Sequence, residues 1–316
     1  MISIVGGLGA AILWAVATLA SSRSSRLIGS RVVLAWVMIV GTVVGVPMAL
    51  VTGVPTDVSS ETLILMLVAG LCYSGGLYSA YRALTIGKVS IVAPIVATEG
   101  GIAALIAVVL GDSLGLSAAL LLAVIAAGVV LSAIEPARPI VPAGDFGMAA
   151  DALDGPASEL AIEPARIPLV RDQAEEAPRT RQAVLFSVIA AAVFGVGLVA
   201  SGKAAVLVAP IWVALAARLV GLVIVALPLI LQRRLVVTRQ VLPLVLISGV
   251  GEILGSTLSA WGATQSIAIV AVLGSQFAAI AAVAAFLLFG ERLSRTQVLG
   301  VILIVAGVSA LAAVSV

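Results

Sequence analysis

Three ionisable side chains of this 316-residue chain lie inside otherwise apolar stretches: Glu99, Arg218 and Glu252. Holding such a group at the centre of a bilayer costs about 2.5–3.5 kcal/mol even on lenient insertion scales. All three are therefore expected to face the interior of a helical bundle and to pair. Two acids and one base leave one carboxyl without a cation. Desolvation disfavours a lone carboxylate, so the leftover Glu is the candidate proton exchanger that a proton-coupled carrier needs.

Helical spacing says what surrounds these groups. Ser248, Glu252, Gly255, Ser256 and Ser259 recur at three- and four-residue steps and form one small, polar face. Ser74, Tyr78, Tyr81 and Thr85 do the same on another stretch, and Ser275 and Gln276 lie in a third. Trp14, Tyr73, Trp212 and Trp261 are candidates for aromatic walls suited to an apolar or cationic solute. Each residue also has a plainer use. Ser and Gly faces commonly serve close helix packing, and Tyr81, Trp261 and Lys203 fall near stretch ends, where interfacial anchoring is the expectation. Arg218 is either a clamp on a Glu or a contact for the solute. Pro94, five residues before Glu99, kinks or breaks its helix.

The elements that must hold these residues are set by composition. With 62% hydrophobic and 10% charged residues and a mean hydropathy of +1.28, the chain could not hide its apolar surface from water. Lipid is its solvent. About 20 helical residues cross a bilayer core, and ten stretches qualify: 2–20, 32–52, 62–81, 89–110, 115–134, 183–201, 209–231, 241–262, 267–289 and 296–315. The first lacks a basic region before it, and its counterpart at 183–201 is internal, so it is expected to be a membrane helix and not a signal peptide.

Residues 182–316 repeat 1–134 at a shift of 179: Gly70-Leu71 answers Gly249-Val250, Gly76 answers Gly255, and Gly111-Asp112-Ser113-Leu114 answers Gly290-Glu291-Arg292-Leu293. Five spans per copy is an odd number, so the second copy enters the bilayer from the opposite side. The expected fold is an all-α integral membrane protein of ten transmembrane helices in two inverted five-helix repeats, with a site near the midplane. Arg23, Arg26, Arg31, Arg82, Lys88, Arg233, Arg234, Arg239, Arg292 and Arg295 flank one set of loops, and only Lys203 the other. The positive-inside rule then puts the central loop in the cytoplasm and both termini outside, in a cell membrane. Residues 135–181 hold seven of the thirteen prolines and nine of the fifteen acidic residues, the composition of a flexible linker. Its repeated Ile-Glu-Pro-Ala-Arg, at 134–138 and 162–166, is a linker duplication or a docking motif.

Several chemistries are excluded. The chain has no histidine, which removes imidazole acid/base catalysis and histidine metal ligands; no metal, cofactor or enzyme activity is expected. Basic residues form no single stripe of the kind nucleic acid requires. Gly111-Asp112-Ser113-Leu114-Gly115 matches a hydrolase nucleophile elbow as a string, but it joins two spans and lacks its histidine. No phosphate-binding Gly-Lys-Ser or Gly-Lys-Thr loop is present.

The stretch Ile269-Val270-Ala271 through Phe289-Gly290-Glu291-Arg292-Leu293, followed by Leu299-Gly300 and Gly307, resembles the drug/metabolite transporter superfamily, EamA-type branch. Val89-Ser90-Ile91-Val92-Ala93-Pro94-Ile95 and Gly111-Asp112-Ser113-Leu114 match it in the first half, and Ala217-Arg218-Leu219 resembles its second-helix arginine. The resemblance implies ten helices and export of metabolites, amino acids or drug-like compounds, often driven by ion gradients. Asp112 replaces the usual turn Glu, Met38 stands near the expected first-half arginine, Glu252 answers Tyr73, and Glu99 answers Ala278. Family members are commonly drawn with cytoplasmic termini, the reverse of the charge pattern here. The expected function is secondary export of a small solute by alternating access with proton antiport. The expected site is Glu99, Arg218, Glu252, Gln276, Ser275, Ser256, Tyr73, Tyr78 and Trp14. The alternatives are a lipid-linked carrier or flippase, and a scaffold that presents the linker.

Overall fold

The computed structural model describes residues 2–109, 116–133, 173–264, 270, 273–274, 276–290 and 294–314. The regular elements among them are helices: α1 (Ile2–Ile28), α2 (Ser30–Val51), α3 (Ser60–Ile86), α4 (Val89–Val96), α5 (Glu99–Val109), α6 (Leu116–Ala133), α7 (Gln173–Ala205), α8 (Pro210–Gly221), a π-helical turn (Leu222–Ala226), α9 (Leu227–Leu231), α10 (Leu242–Ala263), α11 (Phe277–Phe289) and α12 (Arg295–Val314). Among the described residues, six helical stretches are long and apolar enough to cross a bilayer: Ile4–Ile28, Ser30–Val51, Ser60–Ile86, Arg179–Ala205, Pro210–Leu231 and Leu242–Ala263. Val89–Ala103, Phe277–Phe289 and Val298–Gly307 are shorter apolar helices. Most of the central linker, Ser275 and part of the signature stretch lie outside the described residues.

Local chemistry explains the helix ends. Ser59 caps α3, its Oγ accepting from the Thr62 N–H at 3.2 Å, which satisfies one of the donors a helix leaves free at its start. Gly29 turns the chain between α1 and α2 at φ 86°, a left-handed conformation that disfavours any Cβ. Pro210 opens α8 in the first turn, where its missing N–H is no loss.

Two expected spans depart from a regular α-helix. The span at 89–110 divides: α4 stops at Val96, Ala97 and Thr98 form a turn, and α5 starts on Glu99. Pro94 removes one ladder donor inside α4, and Thr98 Oγ1 donates to the Ile95 carbonyl at 2.7 Å. The span at 209–231 stays continuous but widens into a π turn at Leu222–Ala226, which starts four residues after Arg218. α7 begins at Gln173, so its first turns belong to the segment assigned to the linker from composition.

The helices pack in crossed pairs: α1 along α10, α3 along α7, α2 against both α10 and α8, and α6 along α12. Small residues permit the close approaches. A Cβ added at Gly76 would lie 2.6 Å from the Phe194 ring, and one at Gly255 would lie 2.7 Å from Trp14 Nε1. Two tryptophans tie opposite ends. Trp212, at the start of α8, donates to the Gly53 carbonyl just past α2 at 3.0 Å, and Trp36, early in α2, donates to the Val236 carbonyl past α9 at 3.2 Å. The start of each element thus meets the end of the other, so α2 and the α8–α9 rod run antiparallel. The main core, which includes Leu34, Met38, Leu77, Leu84 and Ala281, sits among these elements.

Candidate functional site

Arg218 reaches the bundle centre from α8 and is completely buried. Its stem crosses α2 at Gly41, where an added Cβ would lie 2.9 Å from Arg218 Cδ. Nη2 then donates to Tyr73 Oη at 2.8 Å, to the Glu252 backbone carbonyl at 2.8 Å and to Ser256 Oγ at 3.0 Å. The guanidinium carbon lies 4.1 Å from the Tyr73 ring centroid, which adds a cation–π contact. Tyr73 passes the interaction on: its hydroxyl donates to Glu252 Oε2. Ser256 Oγ donates to the Glu252 carbonyl at 2.7 Å.

One phenol therefore bridges a buried cation and a buried carboxylate, and α3, α8 and α10 meet at that point. Charge-assisted bonds of this kind are roughly twice as strong as neutral ones. Among the described residues, Arg218 Nε and Nη1 have no hydrogen-bond partner. With no exposed surface, the guanidinium ties α8 to α3 and α10, and Arg218 also lines the cavity beside it.

Beside the clamp lies a cavity of about 170 Å³. Its polar wall carries Glu99, Tyr73, Glu252, Ser256 and Ser259, and its apolar wall includes Trp14, Phe194 and Phe277. Trp14 and Phe277 meet edge to face at 6.2 Å, and Tyr73 and Phe194 do so at 5.9 Å. Glu99 enters from the first turn of α5, at the helix break. A carboxylate there is favoured by the amide dipoles of the helix start. Glu99 is half-buried, and among the described residues it has no hydrogen-bond or ion-pair partner. The two acids are thus unlike: Glu252 is held by Tyr73 beside a cation, and Glu99 is open to the cavity.

Glu99, Arg218, Glu252, Ser256, Tyr73 and Trp14 come together around this cavity. Tyr78 is not among its lining residues, and the Arg31 guanidinium lies 5.6 Å from its ring centroid. Gln276 donates to Ser309 Oγ at 2.6 Å and is likewise outside the lining. Ser275 lies outside the described residues. Tyr81, expected at the interface, is only 2% exposed and lines the cavity, whereas Trp261 is 41% exposed, as an anchor would be. Phe194 and Phe277 escaped the sequence analysis. Phe194 stands 180 residues after Trp14, one residue beyond the shift of 179 that relates the halves, so that shift pairs Trp14 with Val193 instead.

The model of the EamA-like transporter family matches residues 1–134. Residues 1–134 are similar to that family, which is part of the drug/metabolite transporter superfamily, and the long apolar helices among the described residues are those of a multi-pass membrane protein. Among solved structures, a protein crystal structure at 20% identity shares the fold, with a TM-score of 0.60 over 98% of this chain and 95% of that one. No curated protein matches the chain.

Proposed function

We propose that the chain is a secondary transporter that exports a small solute across the cell membrane by alternating access, with proton antiport. Two inverted five-helix repeats, residues 1–134 and 182–316, form it, joined by the cytoplasmic segment 135–181, with both termini outside. The observation that carries the proposal is a cavity between the halves with one uncompensated acid, Glu99, on a largely apolar wall.

Reciprocal packing supports the repeat. Gly70 lies beneath Val220, and Gly249 beneath Val40; each partner in the second contact stands 179 or 180 residues from its equivalent in the first. Gly128 packs against Ile304, and Gly307 against Ile125. Tyr73 and Glu252, which touch, are themselves 179 residues apart. Equivalent positions can meet only beside a two-fold axis that relates the halves. At that axis a symmetric pair has become an unlike one, Tyr facing Glu, and Met38 likewise faces the Arg218 side across Gly221. An inverted repeat thereby acquires a polar centre that neither half holds alone.

The wall chemistry favours a solute with an apolar or aromatic body and one positive charge. Trp14, Phe194 and Phe277 take the body, and Glu99 takes the charge or a proton but not both. That exclusivity is the basis of antiport. Glu252 and Arg218 neutralise each other through Tyr73 and hold the helices around the site. The test is pH-driven flux of an aromatic quaternary ammonium probe in proteoliposomes. Glu99→Gln is expected to abolish the coupling, and undiminished pH-driven flux in both Glu99→Gln and Glu252→Gln would eliminate it.

A further inference from the structure

The two halves have the same burial pattern over ten residues of their first helices and part in the last turns. Residues 11–20 of α1 and 191–200 of α7 match class for class in buried, half-buried and exposed positions. Beyond that, Ser21, Ser22 and Ser25 are buried, whereas Ser201, Gly202 and Ala205, 180 residues later, are part-exposed and line the cavity. The partner helices diverge in the same way. Leu77, Ala80, Tyr81 and Leu84 on α3 are buried, while Ser256, Ser259, Ala260 and Ala263 on α10, 179 residues later, are part-exposed. The seam between helix ends is shut in the first half and open in the second.

We propose that the α1–α3 seam is the gate at the arginine-rich face, and that Arg26 is its latch. Arg26 Nε donates to the Leu84 carbonyl at 3.1 Å and Nη2 to the Gly87 carbonyl at 2.6 Å. These contacts staple the end of α1 to the end of α3, where helix carbonyls lack partners and attract a cation. Val206, just past the end of α7, stands at the corresponding position, so the open seam has no such latch. Tyr81 and Leu84 fill the shut seam where Ala260 and Ala263 leave a gap at the other.

A purely structural seam would be apolar or fully paired, but this one buries Ser25 Oγ with no hydrogen-bond partner among the described residues, and leaves Tyr81 Oη with only the Ser21 side chain beside it. Unpaired buried hydroxyls destabilise the shut form. Water supplies their partners once the seam parts, so the latch opposes a built-in tendency to open. This gate rests on the inverted-repeat transporter proposed above.

The test uses cysteine accessibility. Cys72 is the only native cysteine, so a Cys72→Ala protein gives a clean background for Ser25→Cys or Ala205→Cys, labelled with a membrane-impermeant maleimide in oriented vesicles. Ala205→Cys is expected to label from the face opposite Arg26, with Ser25→Cys slow from the Arg26 face. Adding Arg26→Ala should speed Ser25→Cys labelling about tenfold, the scale of one lost charge-assisted hydrogen bond, and slow Ala205→Cys. If Arg26→Ala folds poorly, Tyr81→Ala opens the same seam and is expected to give the same acceleration. Unchanged Ser25→Cys labelling in a folded variant overturns the gate alone. Labelling of both cysteines from one face overturns the inverted repeat itself.

Discussion

Removing the Tyr73 hydroxyl tests the clamp most sharply. In Tyr73→Phe the ring and its contact with the Arg218 guanidinium stay, but the hydrogen bonds to the two charged groups disappear, the one accepted from Nη2 and the one donated to Glu252, together with a long one accepted from Ser256 Oγ at 3.4 Å. Bonds to charged groups contribute roughly 1.5–3 kcal/mol each. Nη2 keeps Ser256 Oγ and the Glu252 carbonyl, so the guanidinium loses only part of its support, whereas the carboxylate loses its hydroxyl donor. A loss near the lower bound, about 3 kcal/mol in unfolding free energy, is expected. Because one phenol serves both ions, Tyr73→Phe and Glu252→Gln must be non-additive. A double-mutant cycle, read by denaturant titration in a fixed mixed micelle, is expected to give a coupling of about 1–3 kcal/mol. Additivity within about 0.5 kcal/mol would refute the bridge, since independent sites behave that way.

Other consequences can be checked separately. Glu99→Gln removes no bond among the described residues, so its unfolding free energy should stay within about 0.5 kcal/mol of the parent; a large loss would show Glu99 to be a structural group. Gly76→Ala and Gly255→Ala drive a methyl into Phe194 and Trp14 respectively, so each should destabilise by about 1–3 kcal/mol. A neutral effect in both, by the same titration, would contradict the packing. For orientation, Lys203→Cys in the Cys72→Ala background should label from outside intact cells, and protection there with labelling only after lysis would reverse the topology.

Much of the architecture was legible in the residues alone. Hydropathy over about 20 residues marks a bilayer-crossing helix wherever it packs, so the stretches that become α1, α2, α3, α7 and α10 could be found without their neighbours. The penalty on intramembrane charge singled out Glu99, Arg218 and Glu252, and helical spacing put Ser256 on the face of Glu252. These are local properties, and they survive folding. The break before Glu99 was half visible, because Pro94 marks a disturbed ladder but does not say at which residue the helix stops.

What only the tertiary structure decided is how the helices rotate against one another. Spacing along a helix says which residues share a face, but not which face of a neighbour it meets. So Tyr73 emerged as the bridge between Arg218 and Glu252 only once α3, α8 and α10 were in place, although its offset of 179 from Glu252 was already in the chain. Tyr81 turned inward for the same reason: its position near a span end suggested lipid headgroups, and the close approach of α1 buried it instead. The division of labour between the acids also belongs to this level. A carboxylate is paired or free according to what lies within hydrogen-bond reach, and that distance is set by packing between segments far apart in sequence.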